Sequence, residues 1–208
     1  MTNKLSGLYV LTDNRLTPDE QLIESVEQAL RGGARIAQYR DKQSTAETRL
    51  KQARALNQLC REHEALLIIN DDVELAIESG AHGVHLGRDD AALAAARDYL
   101  GSQHLIGASC YNRIDLAEAA VQSGADYIAF GRFYTSSTKP EAAQADIQLL
   151  QQAKNLGVPV CAIGGITQVN AASLVEAGAD MIAVVAGVFD QPDITQAAKH
   201  LSSLFPKL

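Results

Sequence analysis

The segment QYRDK carries three polar side chains in alternation, those of Gln38, Arg40 and Lys42. Side chains two residues apart in an extended chain point to the same face, so these three are expected to lie together. A guanidinium binds two phosphate oxygens at once and an ammonium acts as a point charge, a combination that suits a diphosphate. The alternative is a solvated strand end, but a glutamine in the same register favours a binding site.

Two acidic pairs follow the next two apolar segments. Asp71-Asp72 comes after LLIIN, which ends at Asn70, and Asp89-Asp90 comes after GVHLGR. Carboxylates brought together repel each other unless a cation separates them. Mg²⁺ takes one or two carboxylates and completes its octahedron with phosphate oxygens and water. The pairs therefore predict a magnesium site, although each aspartate is also a plausible helix N-cap and the spacing does not choose one from each pair.

Small and hydroxyl-bearing residues end the later apolar segments. Ser109 closes IGAS, and the hydroxyls of Ser136, Ser137 and Thr138 stand with Lys139 in a stretch without clear periodicity. Gly165 follows AIG, and Val185-Ala186 follows MIAV. Barrel enzymes commonly bind phosphate with backbone N–H groups after their last two strands. We therefore expect a second, neutral anion site there.

Other reactive side chains point less clearly to chemistry. His85 lies within a buried strand pattern, where a histidine is more often a hydrogen-bonded core residue than a base. Ser109 and His85 make no convincing nucleophile pair because no orienting acid is evident. Cys60 and His63 form a lone C-x-x-H in a helical stretch, which lacks the further ligands of a metal site.

These residues need elements that bring strand ends together. Eight short segments rich in Val, Ile, Leu and Ala, bounded by Gly, Asp or Pro, have the character of buried parallel strands; they begin at residues 7, 35, 65, 83, 105, 127, 158 and 181. Amphipathic helix patterns lie between and after them, at 18–31, 45–61, 73–79, 91–99, 113–123, 146–155, 168–177 and 193–205.

Eight β-α units favour a single-domain (β/α)₈ TIM barrel of class α/β spanning residues 1–208. Gly-Ala pairs recur after alternate helices, at 33–34, 80–81, 124–125 and 178–179, and predict left-handed helix C-caps. The alternative is an open doubly wound sheet, but that fold would place a glycine-rich fingerprint where the first segment is followed by TDNRLTPD.

Composition limits the classes of function. The chain has 208 residues, a formal charge of −7 and 47% hydrophobic residues. The acidic balance argues against a nucleic-acid partner, and no apolar run is long enough for a membrane span. The negative charge also argues mildly against anionic substrates, an objection that a bound metal removes. The N-terminal segment and three scattered cysteines predict a cytoplasmic protein. The sequence carries no signal that assigns an oligomeric state.

Taken together, these strand ends resemble those of the thiamine-phosphate synthases. The pieces QYRDK, INDD, GVHLGRDD, IGAS, FGRFYTSSTKP and AIGGI stand in family order over nearly the whole chain. The resemblance implies a (β/α)₈ barrel transferase that needs Mg²⁺. It would join 4-amino-2-methyl-5-hydroxymethylpyrimidine diphosphate to a thiazole phosphate, in carboxylated or plain form, and release diphosphate and thiamine monophosphate.

The resemblance also implies roles for individual residues. By motif, the contacts to the pyrimidine diphosphate are Gln38, Arg40, Lys42, Asn70, Ser109 and Lys139. Asp71 and Asp90 match the Mg²⁺ ligands, Ser136 to Thr138 match the thiazole-side loop, and Gly165, Val185 and Ala186 match the thiazole-phosphate cradle. Arg40, Lys42, Ser109 and Lys139 are the expected catalytic residues. The reaction implied is dissociative: diphosphate leaves first, the thiazole nitrogen then attacks a cation-like pyrimidine methylene, and no covalent enzyme intermediate forms.

Four positions depart from the family pattern. Arg88, Arg132, Ser136 and Ala186 stand where Gln, Pro, Thr and Ser are frequent. Ala186 removes a hydroxyl, so phosphate binding there must rest on backbone N–H groups. The rival functions are a thiazole tautomerase on the same barrel, a sugar-phosphate epimerase and a barrel that binds thiamine precursors without catalysis. None of these rivals requires the paired cationic and acidic strand ends.

Overall fold

Eight parallel strands close into a barrel in chain order, with the last strand pairing with the first. A computed structural model describes residues 5–87, 90–135 and 143–206, with the backbone alone at 90 and 91. The strands are β1 Gly7–Leu11, β2 Ile36–Tyr39, β3 Leu66–Asn70, β4 Gly83–Leu86, β5 Leu105–Tyr111, β6 Tyr127–Gly131, β7 Val160–Ile163 and β8 Met181–Val184. This arrangement confirms the predicted (β/α)₈ barrel and excludes the open sheet.

Helices follow the strands and cover the barrel. They are α1 Leu22–Arg31, α2 Ala46–Glu62, α3 Val73–Ser79, α4 Asp90–Leu100, α5 Ile114–Gln122, α6 Gln148–Ala153, α7 Ala171–Glu176, α8 Ala186–Phe189 and α9 Ile194–Ser202. All eight predicted helices are present. The short helix α8, directly after β8, was not predicted, because a single turn is too short to show a hydrophobic period.

The first helix begins later than the sequence predicts. Pro18 was expected to open a helix over 18–31, but α1 starts at Leu22. The Asp13 carbonyl instead accepts the backbone N–H of Thr17, and the Pro18 carbonyl accepts that of Gln21. Residues 13–21 therefore contain a series of turns, and Asn14 joins them to the loop after β2 by a hydrogen bond to Asp41.

Two apolar layers hold the barrel together. Alternate strand residues fill its interior, among them Tyr9, Ile36, Ile68, Tyr127 and Met181, each almost fully buried. The opposite strand faces pack against the helices in a larger cluster. Because side chains alternate along a strand, the inward residues at the carboxyl ends of the strands necessarily face the barrel mouth.

The predicted Gly-Ala repeat has its expected conformation. Gly33, Gly80, Gly124 and Gly178 all have positive φ, which a left-handed turn after a helix requires. The three cysteines, Cys60, Cys110 and Cys161, are buried and free. Within the described ranges, no helix has the length and apolar character needed to cross a membrane.

Candidate active site

The cationic residues predicted from QYRDK lie at the carboxyl end of β2. Gln38 points into the barrel and is 3% exposed. Arg40 and Lys42 follow just beyond the strand. The Thr12 hydroxyl, from the loop after β1, holds the backbone of Arg40: it accepts the Arg40 N–H at 2.9 Å and donates to the Arg40 carbonyl at 3.3 Å. In the described parts of the chain, no ion pair engages the Arg40 guanidinium.

Asp41 holds the turn that presents Lys42. Its Oδ1 accepts hydrogen bonds from Asn14 Nδ2 at 2.8 Å and from the backbone N–H groups of Gln43 and Ser44 at 2.8 and 3.1 Å. Partial burial alone would raise the pKa of the Asp41 carboxyl, but a hydrogen bond with the Ser44 side chain and the three bonds above outweigh burial and hold the pKa well below the usual range. Asp41 is therefore ionised at neutral pH and acts as a fixed acceptor for the loop.

The two aspartates that follow β3 have different partners. Asp72 caps α3 by accepting the Leu75 N–H at 2.9 Å, and it pairs with Arg49 at 3.0 Å. Asp71 has φ 62, and its carboxylate is half exposed beside the Asn70 amide, 2.8 Å away, and Lys42 Nζ, 3.7 Å away. Lys42, Asn70 and Asp71 line one side of an open cleft of about 570 Å³.

A hydrogen-bond chain crosses the barrel beneath this mouth. Gln38 Nε2 donates to the Tyr9 hydroxyl at 2.6 Å, and the Tyr9 and Tyr127 hydroxyls are 3.0 Å apart. The Tyr127 hydroxyl lies 3.0 Å from His85 Nδ1, and His85 Nε2 lies 2.9 Å from Ser109 Oγ. The chain thus joins two predicted site residues, Gln38 and Ser109, through three side chains that were not predicted to belong to the site.

The two tyrosines are the residues that sequence reasoning missed. Both occupy inward positions of predicted strands, so the alternation of side chains could have identified them as neighbours below the mouth. His85 is a hydrogen-bonded interior residue, as predicted. Although Ser109 lies within reach of His85, the second ring nitrogen faces a phenol rather than a carboxylate, so the arrangement lacks the acid of a nucleophile triad.

The neutral end of the mouth is built by β7 and β8. Gly165 has φ 64, and a Cβ there would lie 2.4 Å from the Thr135 carbonyl oxygen, so the loops after β6 and β7 touch at this glycine. Asn170 fastens the turn by donating to the Gly165 carbonyl at 3.0 Å and accepting the Thr167 N–H at 2.8 Å. Val185 and Ala186 stand where α8 begins. The first N–H groups of a helix have no intrahelical acceptor and remain able to bind an anion.

The other predicted site residues fall outside the described part of the structure. These are Ser136, Ser137, Thr138 and Lys139, together with the side chain of Asp90. In the described ranges, no group of three or more His, Cys, Asp or Glu side chains is placed to hold a metal ion. Of the two predicted ligands, Asp71 is the one whose side chain is described, and its exposed carboxylate is a hard oxygen donor of the kind that suits Mg²⁺.

Comparison with known proteins identifies the family. Residues 8–188 match the protein family described as thiamine monophosphate synthase. The chain belongs to the thiamine monophosphate synthase family. Its relatives include thiamine-phosphate synthases from Marinobacter nauticus, 56% identical over 97% of this chain and 91% of the relative, and from Chromobacterium violaceum, 53% identical over 99% of each chain.

Solved structures agree with this membership. A thiamine phosphate pyrophosphorylase from Pyrococcus furiosus superposes with a TM-score of 0.86 at 35% identity, covering 98% of this chain and 96% of the other. A 3-hexulose-6-phosphate synthase superposes with a TM-score of 0.71 at 16% identity, over 96% of this chain and all of the other. The second likeness concerns the barrel fold alone.

Proposed function

We propose that this member of the thiamine monophosphate synthase family joins 4-amino-2-methyl-5-hydroxymethylpyrimidine diphosphate to a thiazole phosphate. The products are thiamine monophosphate and diphosphate. The observation that carries the proposal is the convergence of Lys42, Asn70 and Asp71 around one open cleft at the barrel mouth. Arg40 stands two residues before Lys42 and lines a small pocket that shares Asp41 with this cleft. This set offers cations and a carboxylate to a diphosphate and its metal, while the apolar interior lies below.

The cationic residues suit the leaving group. The carbon–oxygen bond between the pyrimidine methylene and the diphosphate breaks, and its electron pair leaves with the diphosphate. The negative charge that develops there is stabilised by the Arg40 guanidinium and the Lys42 ammonium, and by Lys139 from the loop after β6. Fixed donors act strongly in such a step because they need no reorganisation, and Thr12 and Asp41 hold the backbone at Arg40 and Lys42 in place.

Mg²⁺ is the cofactor that the donor set favours. Asp71 and Asp90, the latter from the start of α4, would hold the ion at the mouth, and two carboxylates would leave it able to bind a diphosphate. When bound, the ion would place positive charge beside the diphosphate and stabilise the negative charge that develops as the carbon–oxygen bond breaks. The half-exposed carboxylate of Asp71 fits this role because its present neighbours, Asn70 and Lys42, leave it accessible.

The second half of the reaction joins the two rings. Loss of diphosphate leaves a pyrimidine methylene cation, which the electron-rich aminopyrimidine ring stabilises and which Gln38 and Ser109 hold in place. The thiazole nitrogen donates its lone pair to this carbon to form the new carbon–nitrogen bond. The thiazole is held through its phosphate by Gly165, Val185 and Ala186, and by the loop that carries Ser136, Ser137 and Thr138. No step requires a nucleophile on the protein.

A direct assay tests this function. Purified protein is mixed with both half-substrates and Mg²⁺, and thiamine monophosphate and diphosphate are quantified together. Equal amounts of the two products are expected. Absence of both products would overturn the proposal, and rearrangement of the thiazole phosphate without diphosphate release would favour the tautomerase instead.

The proposal also covers the domain organisation, the binding partners and the compartment of the protein. We propose that one catalytic domain spans the chain, that its partners are small-molecule substrates rather than nucleic acid or membranes, and that it acts in the cytoplasm. Size-exclusion chromatography with light scattering would determine the oligomeric state.

A further inference from the structure

We propose that Tyr9, Tyr127 and His85 are positioning residues that set Gln38 as a hydrogen-bond acceptor and Ser109 as a donor toward the substrate ring. The inference rests on the proposed function, in which both end residues contact the pyrimidine. An aminopyrimidine presents the complementary groups, an amino N–H and a ring nitrogen with a lone pair. The relay, meaning Gln38, Tyr9, Tyr127, His85 and Ser109, would thereby select this ring.

The relay connects residues that are far apart in sequence and lie on five different strands. It runs from β2 through β1, β6 and β4 to β5. Its four links are 2.6, 3.0, 3.0 and 2.9 Å long, all within hydrogen-bond distance. A reversal of the donor and acceptor at one end can therefore reach the other end through hydrogen bonds alone.

The direction of the relay follows from counting protons. Each phenol has one proton to donate, and burial raises the pKa of both Tyr9 and Tyr127 so that both stay neutral. Gln38 donates its amide N–H to Tyr9. The arrangement that then gives each phenol proton an acceptor has Tyr9 donating to Tyr127 and Tyr127 donating to His85 Nδ1. The His85 proton then lies on Nε2 and is donated to Ser109 Oγ, which leaves the Ser109 proton for the substrate.

The direction of the bond between Gln38 and Tyr9 also decides which amide atom of Gln38 is presented to the substrate. Since the amide nitrogen is turned toward Tyr9, the amide oxygen on the other side of the planar group is the acceptor that Gln38 presents. A rotated amide would reverse every link, so that Gln38 became a donor and Ser109 an acceptor. The two ends are thus coupled: one direction suits an aminopyrimidine and the reverse does not.

Packing holds the central tyrosine in place. Tyr127 is fully buried, and a Cβ added at Gly107 would lie 2.0 Å from its Cζ atom, so its ring occupies the space that glycine leaves empty. The Tyr9 and Tyr127 rings meet edge to face, with centroids 6.2 Å apart. The hydroxyls therefore stay aligned without help from a ligand.

The test compares two substrates in matched variants. Tyr127→Phe and Tyr9→Phe each remove one hydroxyl and keep the ring. For each protein, kcat/KM is measured with the aminopyrimidine diphosphate and with its analogue in which hydrogen replaces the amino group. Wild-type protein is expected to prefer the natural substrate. In either variant, the ratio of the two kcat/KM values is expected to fall about tenfold, which is the effect of about one hydrogen bond. KM for thiazole phosphate should not change.

A control variant separates positioning from general damage. Tyr39→Phe removes a hydroxyl of a buried side chain on the helix-facing side of β2, where it bonds Gln52 and Asp41. Neither partner belongs to the relay, so the preference between the two pyrimidines should not change even if the overall rate does. If wild-type protein forms thiamine monophosphate but both relay variants keep its full preference, the relay inference is wrong and the proposed function stands. If wild-type protein forms no product, the proposed function is wrong and the relay inference falls with it.

A spectroscopic measurement does not depend on the variants. Nitrogen NMR of ¹⁵N-histidine-labelled wild-type protein reports which ring nitrogen of His85 carries the proton. A neutral ring protonated at Nε2 is expected, assigned by the loss of its signals in His85→Asn. A ring protonated at Nδ1 would reverse the relay and overturn the inference.

Discussion

The Nζ atom of Lys42 lies 3.7 Å from Oδ2 of Asp71, and both side chains are more than half exposed. An exposed pair of this kind contributes at most about 1 kcal/mol, because solvent screens it and two long side chains must be ordered. A ligand can therefore take over both partners at little cost. Diphosphate oxygens would replace Asp71 at the ammonium, and a cation would replace Lys42 at the carboxylate.

Asp71→Asn should weaken the binding of Mg²⁺. The variant keeps the shape of the side chain, and asparagine tolerates the positive φ at this position, but the anionic ligand is lost. Titration of turnover against Mg²⁺ should show a half-saturating concentration raised about tenfold or more, because a hydrogen-bonded or coordinated charge is worth at least that factor.

Asp72→Asn is the matched control for this experiment. Asparagine caps helices about as well as aspartate, so the Leu75 N–H keeps its acceptor. Its Mg²⁺ titration should coincide with that of the wild-type protein. A shift in Asp72→Asn with none in Asp71→Asn would move the proposed metal ligand to the other member of the pair.

Arg40→Ala should lower turnover by about 100-fold or more, the usual effect of losing one transition-state donor. The Thr12 hydroxyl bonds the backbone of residue 40, so the loop is expected to keep its position. Steady-state kinetics with both substrates saturating measure the effect. Arg54→Ala, on the outer helix α2, is the control and should retain normal turnover. Near-normal turnover in Arg40→Ala would refute the leaving-group assignment.

Gly165→Ala should weaken thiazole-phosphate binding more than pyrimidine binding. The added methyl group would lie 2.4 Å from the Thr135 carbonyl oxygen and would push the loops after β6 and β7 apart. We expect KM for thiazole phosphate to rise about tenfold, the scale of one lost hydrogen bond to a charged group, and KM for the pyrimidine diphosphate to change little.

Gly157→Ala separates steric from backbone effects. Gly157 also has positive φ, at 75, but nothing lies within 4 Å of an added Cβ. It should cost about 1–2 kcal/mol of stability from the left-handed backbone alone and leave both KM values unchanged. Equal kinetic effects in the two variants would show that the loop contact at Gly165 does not matter for binding.

Alkaline pH should unfold the barrel through its buried phenols. Burial raises the pKa of Tyr9 and Tyr127 above that of an unfolded chain, so their contribution to stability is complete below about pH 10 and is lost as pH rises further. After a jump to high pH, absorbance at 295 nm reports the ionisation of tyrosine side chains. Tyr9 and Tyr127 should ionise only as circular dichroism reports unfolding. Ionisation of all six tyrosines in the folded protein would contradict this prediction.

The order of strands and helices could be read from the sequence because it depends on local rules. Apolar runs bounded by turn residues identified all eight strands, and helix α3 has the bounds that were predicted, 73–79. The same rules failed at Pro18, where side-chain and backbone acceptors on Asp13 favour turns, and at α8, which is a single turn.

The sequence by itself determined the barrel and the polar residues at the ends of its strands, because the periods of strands and helices act over a few neighbouring residues. Only the tertiary structure decided that Asp72 caps α3 and pairs with Arg49 while Asp71 lies beside Lys42 at the mouth. Only closure of the sheet could bring the hydroxyls of Tyr9 and Tyr127, 118 residues apart, within 3.0 Å. Contacts between strands depend on register and barrel closure, and no local pattern in the chain encodes either of these.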